Sequence, residues 1–216
     1  MILSDREIEA ALEHGFIKIH PVPDRALWTS TAIDLTLDAT LLKWTPKPAK
    51  TGARQQIRPN GPGEFNIKDL MDDPSWATKI QIDPRNGYEL ETNAFILGYT
   101  KEIVYLPNRS RLAARVEGKS SLARLGIGVH VTAPTIHAGF GFKEGLPEKK
   151  LGSPIQLEIF NISGLPVVLD VGMPICQLIL EEVRELPNKG YKGQFSDQTV
   201  FAPPPKPGSK SRQRPK

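Results

Sequence analysis

Leu112-Ala-Ala-Arg-Val-Glu-Gly-Lys-Ser-Ser-Leu-Ala-Arg-Leu-Gly-Ile-Gly-Val-His-Val131 decides the fold class. Leu112–Val116 is a short β-type run, Ser120–Leu125 suits one helical turn, and Ile127–Val131 returns to β composition. Outward from this stretch the same short pieces recur: Lys79–Ile82, Tyr88–Leu90, Ala94–Leu97, Glu102–Leu106, Ile155–Phe160, Val167–Leu169 and Ile175–Leu180. Turn residues divide them, among them Asp83-Pro84, Asn86-Gly87, Ser163-Gly164 and Val171-Gly-Met-Pro174. Closely spaced strands without amphipathic helices between them predict a mostly β fold, a sandwich or distorted jelly roll, with few helical turns.

Upstream, Ser4-Asp-Arg-Glu7 has the form of a capping box and opens an amphipathic helix with Ile8, Ala11 and Leu12 on one face, ended by Gly15. Phe16–Ile19 and Ala32–Leu37 read as strands, the second alternating apolar and polar with period two. Lys43–Pro62, rich in Pro, Lys, Gly and Arg, reads as a long surface loop.

The chain of 216 residues is one domain's worth, expected to span 1–200 and to be followed by a basic, Pro-rich disordered tail over 201–216. The formal net charge is +4, and residues 202–216 supply five bases and no acids, so the excess does not define a basic face for nucleic acid. The single cysteine, Cys176, lies in an apolar run and reads as a buried thiol. No secretory signal and no bilayer-spanning run stands in the sequence, which makes a cytoplasmic location the expectation.

Glu117-Gly-Lys-Ser-Ser-Leu-Ala-Arg124 puts a glycine, two hydroxyls and two cations beside a helix start, where unpaired amide donors favour an anion. Lys119 offers a point charge and Arg124 a forked donor suited to a polyphosphate. The two-glycine frame of a P-loop is missing. On composition alone, an ordinary capped turn with exposed Lys and Arg stays open.

The segment Leu106–Gly126 resembles the centre of the dCTP deaminase family, within the dCTP deaminase and dUTPase superfamily. Val129-His-Val-Thr-Ala133, Ala138-Gly-Phe140, Leu157-Glu-Ile-Phe-Asn161, Val171–Leu178, Tyr191-Lys-Gly-Gln194, the opening Met1–Ile8 and Ala32-Ile-Asp-Leu35 extend the likeness along nearly the whole chain. The resemblance implies a dUTPase-like β fold that hydrolyses dCTP to dUTP and ammonia. It makes Glu158 the general base, with Ser120 and the Ala133 carbonyl orienting the water and Arg124 in the catalytic set. Lys119, Ser120, Ser121 and Arg124 would hold the triphosphate, Thr132, Ala133 and His137 would lie along the substrate, and Tyr191 and Gln194 would come from a closing C-terminal segment. It further implies a homotrimer and Mg²⁺ carried only as the partner of the triphosphate.

Zinc is not expected, because one cysteine cannot form the Cys pair of the zinc deaminases, and His130 and His137 lack a helical ligand spacing. Three departures from the family stand near base and sugar. His137 occupies the usual Asp position, Thr135 stands near a common Arg, and residues 141–156 form a longer connection than the usual hairpin. They leave two rivals to the deaminase: a dUTPase or bifunctional deaminase and diphosphatase, and a nucleotide-binding regulator without turnover.

Overall fold

In the computed structural model of the chain, residues 1–48, 56–59, 65–129, 133–147 and 150–188 are described. The first element, α1 (Asp5–Glu13), begins at the predicted capping box. Glu7 accepts from the Ser4 backbone N–H at 2.7 Å, and the Ser4 hydroxyl accepts from the Glu7 N–H. The helix buries Ile8 and Ala11 and stops where Gly15 takes a positive φ of 69°.

The strands follow as β1 (Lys18–His20), β2 (Ile33–Thr36), β3 (Thr40–Trp44), β4 (Ala77–Gln81), β5 (Tyr88–Leu90), β6 (Phe95–Tyr105), β7 (Leu112–Gly118), β8 (Ile127–Val129), β9 (Thr135–Ile136), β10 (Ser153–Asn161), β11 (Val167–Leu169) and β12 (Pro174–Glu182). Two further helices, α2 (Ile67–Asp72) and α3 (Ser120–Arg124), are short. One sheet runs β4-β3-β6-β10-β8 with β1 also on β6, and a second runs β2-β12-β7-β9. Every pairing within them is antiparallel. Leu35, Val116 and Leu178 from the second sheet and Ile96, Leu157 and Ile159 from the first are fully buried in one continuous apolar cluster. Burial of such side chains, roughly 1.5–3 kcal/mol each, drives the two sheets together. The mostly β class expected from the sequence is the class observed.

Several details differ. Ala94–Leu97 and Glu102–Leu106 belong largely to one strand, β6: Gly98 stays paired with Leu157 of β10, and the register between the two strands shifts between Pro154 and Gln156 without ending the strand. Packing is close at Gly98, where a Cβ would stand 3.2 Å from both the Ile159 and the Leu41 side chains. Lys43 and Trp44, expected to open a long loop, instead complete β3, and residues 49–55 and 60–62 of that expected loop lie outside the described residues. α2 was not expected; Asn66 caps it, and Met71 packs with Leu42, Ala77, Leu97 and Tyr99 in a satellite cluster. The alternation in Ala32–Leu37 predicts one wet face, yet all four residues of β2 are buried.

The lengthened connection before β10 is closed at its root. Gly152 donates its N–H to the Gly141 carbonyl at 2.7 Å, and a Cβ on Gly141 would lie 2.5 Å from the Val104 carbonyl oxygen and 2.8 Å from the Gly152 Cα. The excursion therefore leaves and rejoins the sheet at one point, so added length there costs little closure entropy.

Candidate active site

α3 lies in the link between the two sheets. It follows β7 of the four-stranded sheet, and after Gly126 the chain enters β8 of the other. Gly126 has φ 78° and ends the helix by donating to the Ala123 carbonyl at 3.0 Å. Its own carbonyl accepts from Ile162 N–H at 2.9 Å, tying α3 to the end of β10. Ser120, Ser121 and Arg124 are exposed on this turn, and Leu122 is its buried anchor. The helical turn expected for Ser120–Leu125 thus forms, with two hydroxyls and a guanidinium facing solvent.

Lys119 is placed differently from its neighbours. It is the N-cap residue of α3, and its ammonium forms an ion pair with Asp34 of β2. Asp34 is only 7% exposed, and its other carboxylate oxygen accepts from Gln177 Nε2 at 3.0 Å. Cross-strand register explains the meeting, because Gln177 of β12 stands opposite Asp34 on one side and Glu117 of β7 on the other. Asp34 and Gln177 were not singled out from the sequence. The signal present was an acid between Ile33 and Leu35, since a carboxylate buried with such neighbours requires a partner.

Glu158 sits on β10 with Leu157 and Ile159 fully buried on the opposite face, as the alternation predicts. It is half-buried, its Oε2 shut off from solvent, and opposite Leu97 of β6. Two residues earlier on the same face, buried Gln156 donates to the Tyr99 hydroxyl at 3.2 Å and lies 4.0 Å from Met71 Sδ. The wall beside Glu158 is therefore built from β6, β10 and α2. Burial pushes the Tyr99 phenol well above its ordinary pKa, so it stays a neutral hydroxyl. Glu158 is connected to α3 through β8, whose Val129 pairs with Ile159.

Ala133 is exposed, and beside it the Pro134 carbonyl accepts from Val116 N–H at 2.9 Å, which brings the segment after 132 to β7. Thr135 pairs with Arg115, and exposed His137 follows at the end of β9, its carbonyl accepting from Phe140 N–H. Thr132, Tyr191 and Gln194 lie outside the described residues, as do His130 and the tail over 201–216. A groove of about 380 Å³ between α1 and the start of β7, lined by Leu3, Glu7, His14, Phe16 and Arg111 among others, contains none of the sequence-predicted site residues.

Against this geometry, the family model described as dCTP deaminase-like matches residues 2–183. The chain belongs to the dCTP deaminase-like family. Among family relatives, the "dCTP deaminase, dUMP-forming" of Dictyoglomus thermophilum is 36% identical over 179 residues, 82% of this chain and 78% of that protein. The protein of the same description from Methanosphaera stadtmanae is 34% identical over 196 residues, covering 91% and 86%. The dCTP deaminase of Rhodospirillum rubrum is 31% identical over 207 residues, covering 94% and 95%. The crystal structure of 2'-deoxycytidine 5'-triphosphate deaminase from Agrobacterium tumefaciens superposes with a TM-score of 0.57 at 22% identity, covering 84% of this chain and 48% of that one. This chain thus spans about half the length of the Agrobacterium protein, and the likeness places its fold with the family's.

Among the described residues no helix is long and apolar enough to cross a membrane. Cys176 is fully buried, as its apolar run predicts, and burial raises its pKa, with Glu102 and Asp34 adding to the shift.

Proposed function

We propose that the chain is a dCTP deaminase, converting dCTP and water to dUTP and ammonia. The observation that carries the reading is Glu158, held half-buried on a rigid strand within a family whose relatives are named for this reaction. Glu158 takes a proton from water as the water oxygen bonds to C4 of cytosine, and that proton passes to N3. Glu158 then carries the proton of the new C4 hydroxyl to the N4 amine, the C4–N4 bond breaks, and ammonia leaves a 4-oxo pyrimidine with N3 protonated. Ser120 and the Ala133 carbonyl orient the water. Lys119, Ser120, Ser121 and Arg124 grip the triphosphate, and Thr132 and His137 flank the sugar, with Tyr191 and Gln194 closing over the ligand. Exposed hydroxyls and a guanidinium on α3 suit phosphate oxygens, and Mg²⁺ would come with the nucleotide, where it would neutralise phosphate charge. No zinc takes part in this route. We also assign a homotrimer that shares sites between subunits, a cytoplasmic location, a domain over 1–200 and a separate tail.

A second reading, deamination followed by release of pyrophosphate to give dUMP, is favoured by the dUMP-forming descriptions of relatives at 34–37% identity. His137 counts against it, because an imidazole there supplies no anionic acceptor for a water attacking phosphorus. Ammonia and pyrophosphate, followed together during turnover of dCTP and dUTP, decide between the two. Ammonia with intact triphosphate is expected. Ammonia with pyrophosphate establishes the second reading, and pyrophosphate without ammonia from either substrate removes deamination.

A further inference from the structure

We infer that Asp34 is a positioning residue that holds Lys119 in place for the triphosphate; this rests on the reading of α3 and its flanks as the phosphate grip. The lysine carries a long, flexible stem, and such a side chain loses rotamer freedom whenever it is fixed on a ligand. Here that freedom is already spent in folding. The Lys119 side chain is 20% exposed and paired with Asp34, so its ammonium is fixed beside the start of α3 before any nucleotide arrives. An ammonium has three donors, and Asp34 engages one, leaving the others for phosphate oxygens.

Asp34 is itself fixed from both sides. Gln177 donates to Oδ1 while Lys119 engages Oδ2. Two residues along β2, the Thr36 N–H and hydroxyl donate to the Glu102 carboxylate at 2.8 and 2.7 Å. Glu102 is 3% exposed on β6, so this contact locks β2 of one sheet to the other. The carboxylate that aims Lys119 thus stands on a strand clamped at two consecutive inward polar positions. This accounts for the burial of both polar residues of β2, which its period-two pattern alone does not explain.

The test is a double-mutant cycle in substrate binding, with wild type, Asp34→Asn, Lys119→Met and the double variant compared at fixed salt. Asp34→Asn is expected to raise KM for the triphosphate about tenfold with kcat within about twofold, since positional freedom returned to Lys119 is charged to binding. In the Lys119→Met background the same change is expected to move KM by less than about twofold. Inhibition by deoxycytidine, which has no phosphates, is expected to stay unchanged by Asp34→Asn. An equal rise in both backgrounds, or no rise in either, overturns the assignment. Gln177→Leu, which removes one of the two contacts on Asp34, serves where Asp34→Asn does not fold. About a threefold rise that vanishes in the Lys119→Met background is expected, and a rise that persists there overturns the inference. A wild-type chain that binds no pyrimidine deoxynucleoside triphosphate overturns the proposed function and this inference together, whereas additive effects in a chain that binds remove the inference alone.

Discussion

Glu158 and Leu97 stand directly opposite each other across β10 and β6, so the acid side chain rises from the middle of a sheet whose strands are paired on both sides. A carboxylate on such a strand is held by backbone pairing and needs no loop to place it. Glu158→Gln keeps size and shape but removes proton acceptance. The expected outcome is a fall in kcat of about 10²–10⁴-fold, with triphosphate affinity within a few-fold of wild type. Single-turnover ammonia release and equilibrium binding check the two halves separately.

Arg124 is exposed at the end of α3, where a planar fork can grip two phosphate oxygens. Arg124→Lys retains the charge and loses the paired geometry. KM for the triphosphate is expected to rise about tenfold or more, as a lost charge-assisted hydrogen bond is worth roughly 1.5–3 kcal/mol. Steady-state kinetics with nucleotides of one, two and three phosphates measure it, and an effect independent of phosphate number would dissociate Arg124 from the phosphate grip.

Gly126 couples α3 to the turn after β10. A Cβ there would stand 2.6 Å from Ser163 Cβ and 2.9 Å from its backbone nitrogen, at a φ of 78° that side chains adopt at a cost. Gly126→Ala is therefore expected to destabilise the fold by about 1–3 kcal/mol. Urea unfolding monitors it, and a change below about 0.5 kcal/mol, the usual range of neutral surface changes, would refute the close approach.

Glu7 is held below its ordinary pKa, first by the Ser4 backbone N–H and then by the Ser4 hydroxyl. A carboxylate whose folded pKa is depressed contributes stability above its unfolded pKa and loses that contribution as pH falls through the folded value. Thermal stability is thus expected to drop on acidification below the reference value of 4.5, and Glu7→Gln is expected to flatten part of that drop. Melting curves of both proteins across the acid range provide the comparison.

Cys176 is fully buried with its thiol pKa raised by burial, so little reactive thiolate is present at neutral pH. A disulfide reagent is expected to leave the folded chain unmodified and to label it stoichiometrically in denaturant. Rapid labelling of native protein would contradict the buried position.

The capping box, the outward direction of Glu158 and the helical turn at Ser120 were legible because each depends on neighbours within a few residues. Ser4 and Glu7 are three positions apart, strand alternation has period two, and a helix start draws on its own first turn. α2 was missed because its six residues carry no amphipathic repeat, and it is held by Met71 against Leu42, Leu97 and Tyr99 from two strands. β6 reads as two pieces in the sequence because Gly98 weakens local strand propensity. In the sheet, pairing with β10 and β3 and the close packing at Gly98 outweigh that propensity.

By itself, then, the sequence determined the β class, the helical turn carrying Ser120, Ser121 and Arg124, and the face on which Glu158 lies. Tertiary structure alone decided that Lys119 would meet Asp34 and that Asp34 would also hold Gln177, partners 85 and 143 residues apart along the chain. The physical reason is register: β2, β7 and β12 must be aligned side by side before those three side chains share one place. Local pattern reports which way a side chain points, and only the assembled sheet reports what it meets there.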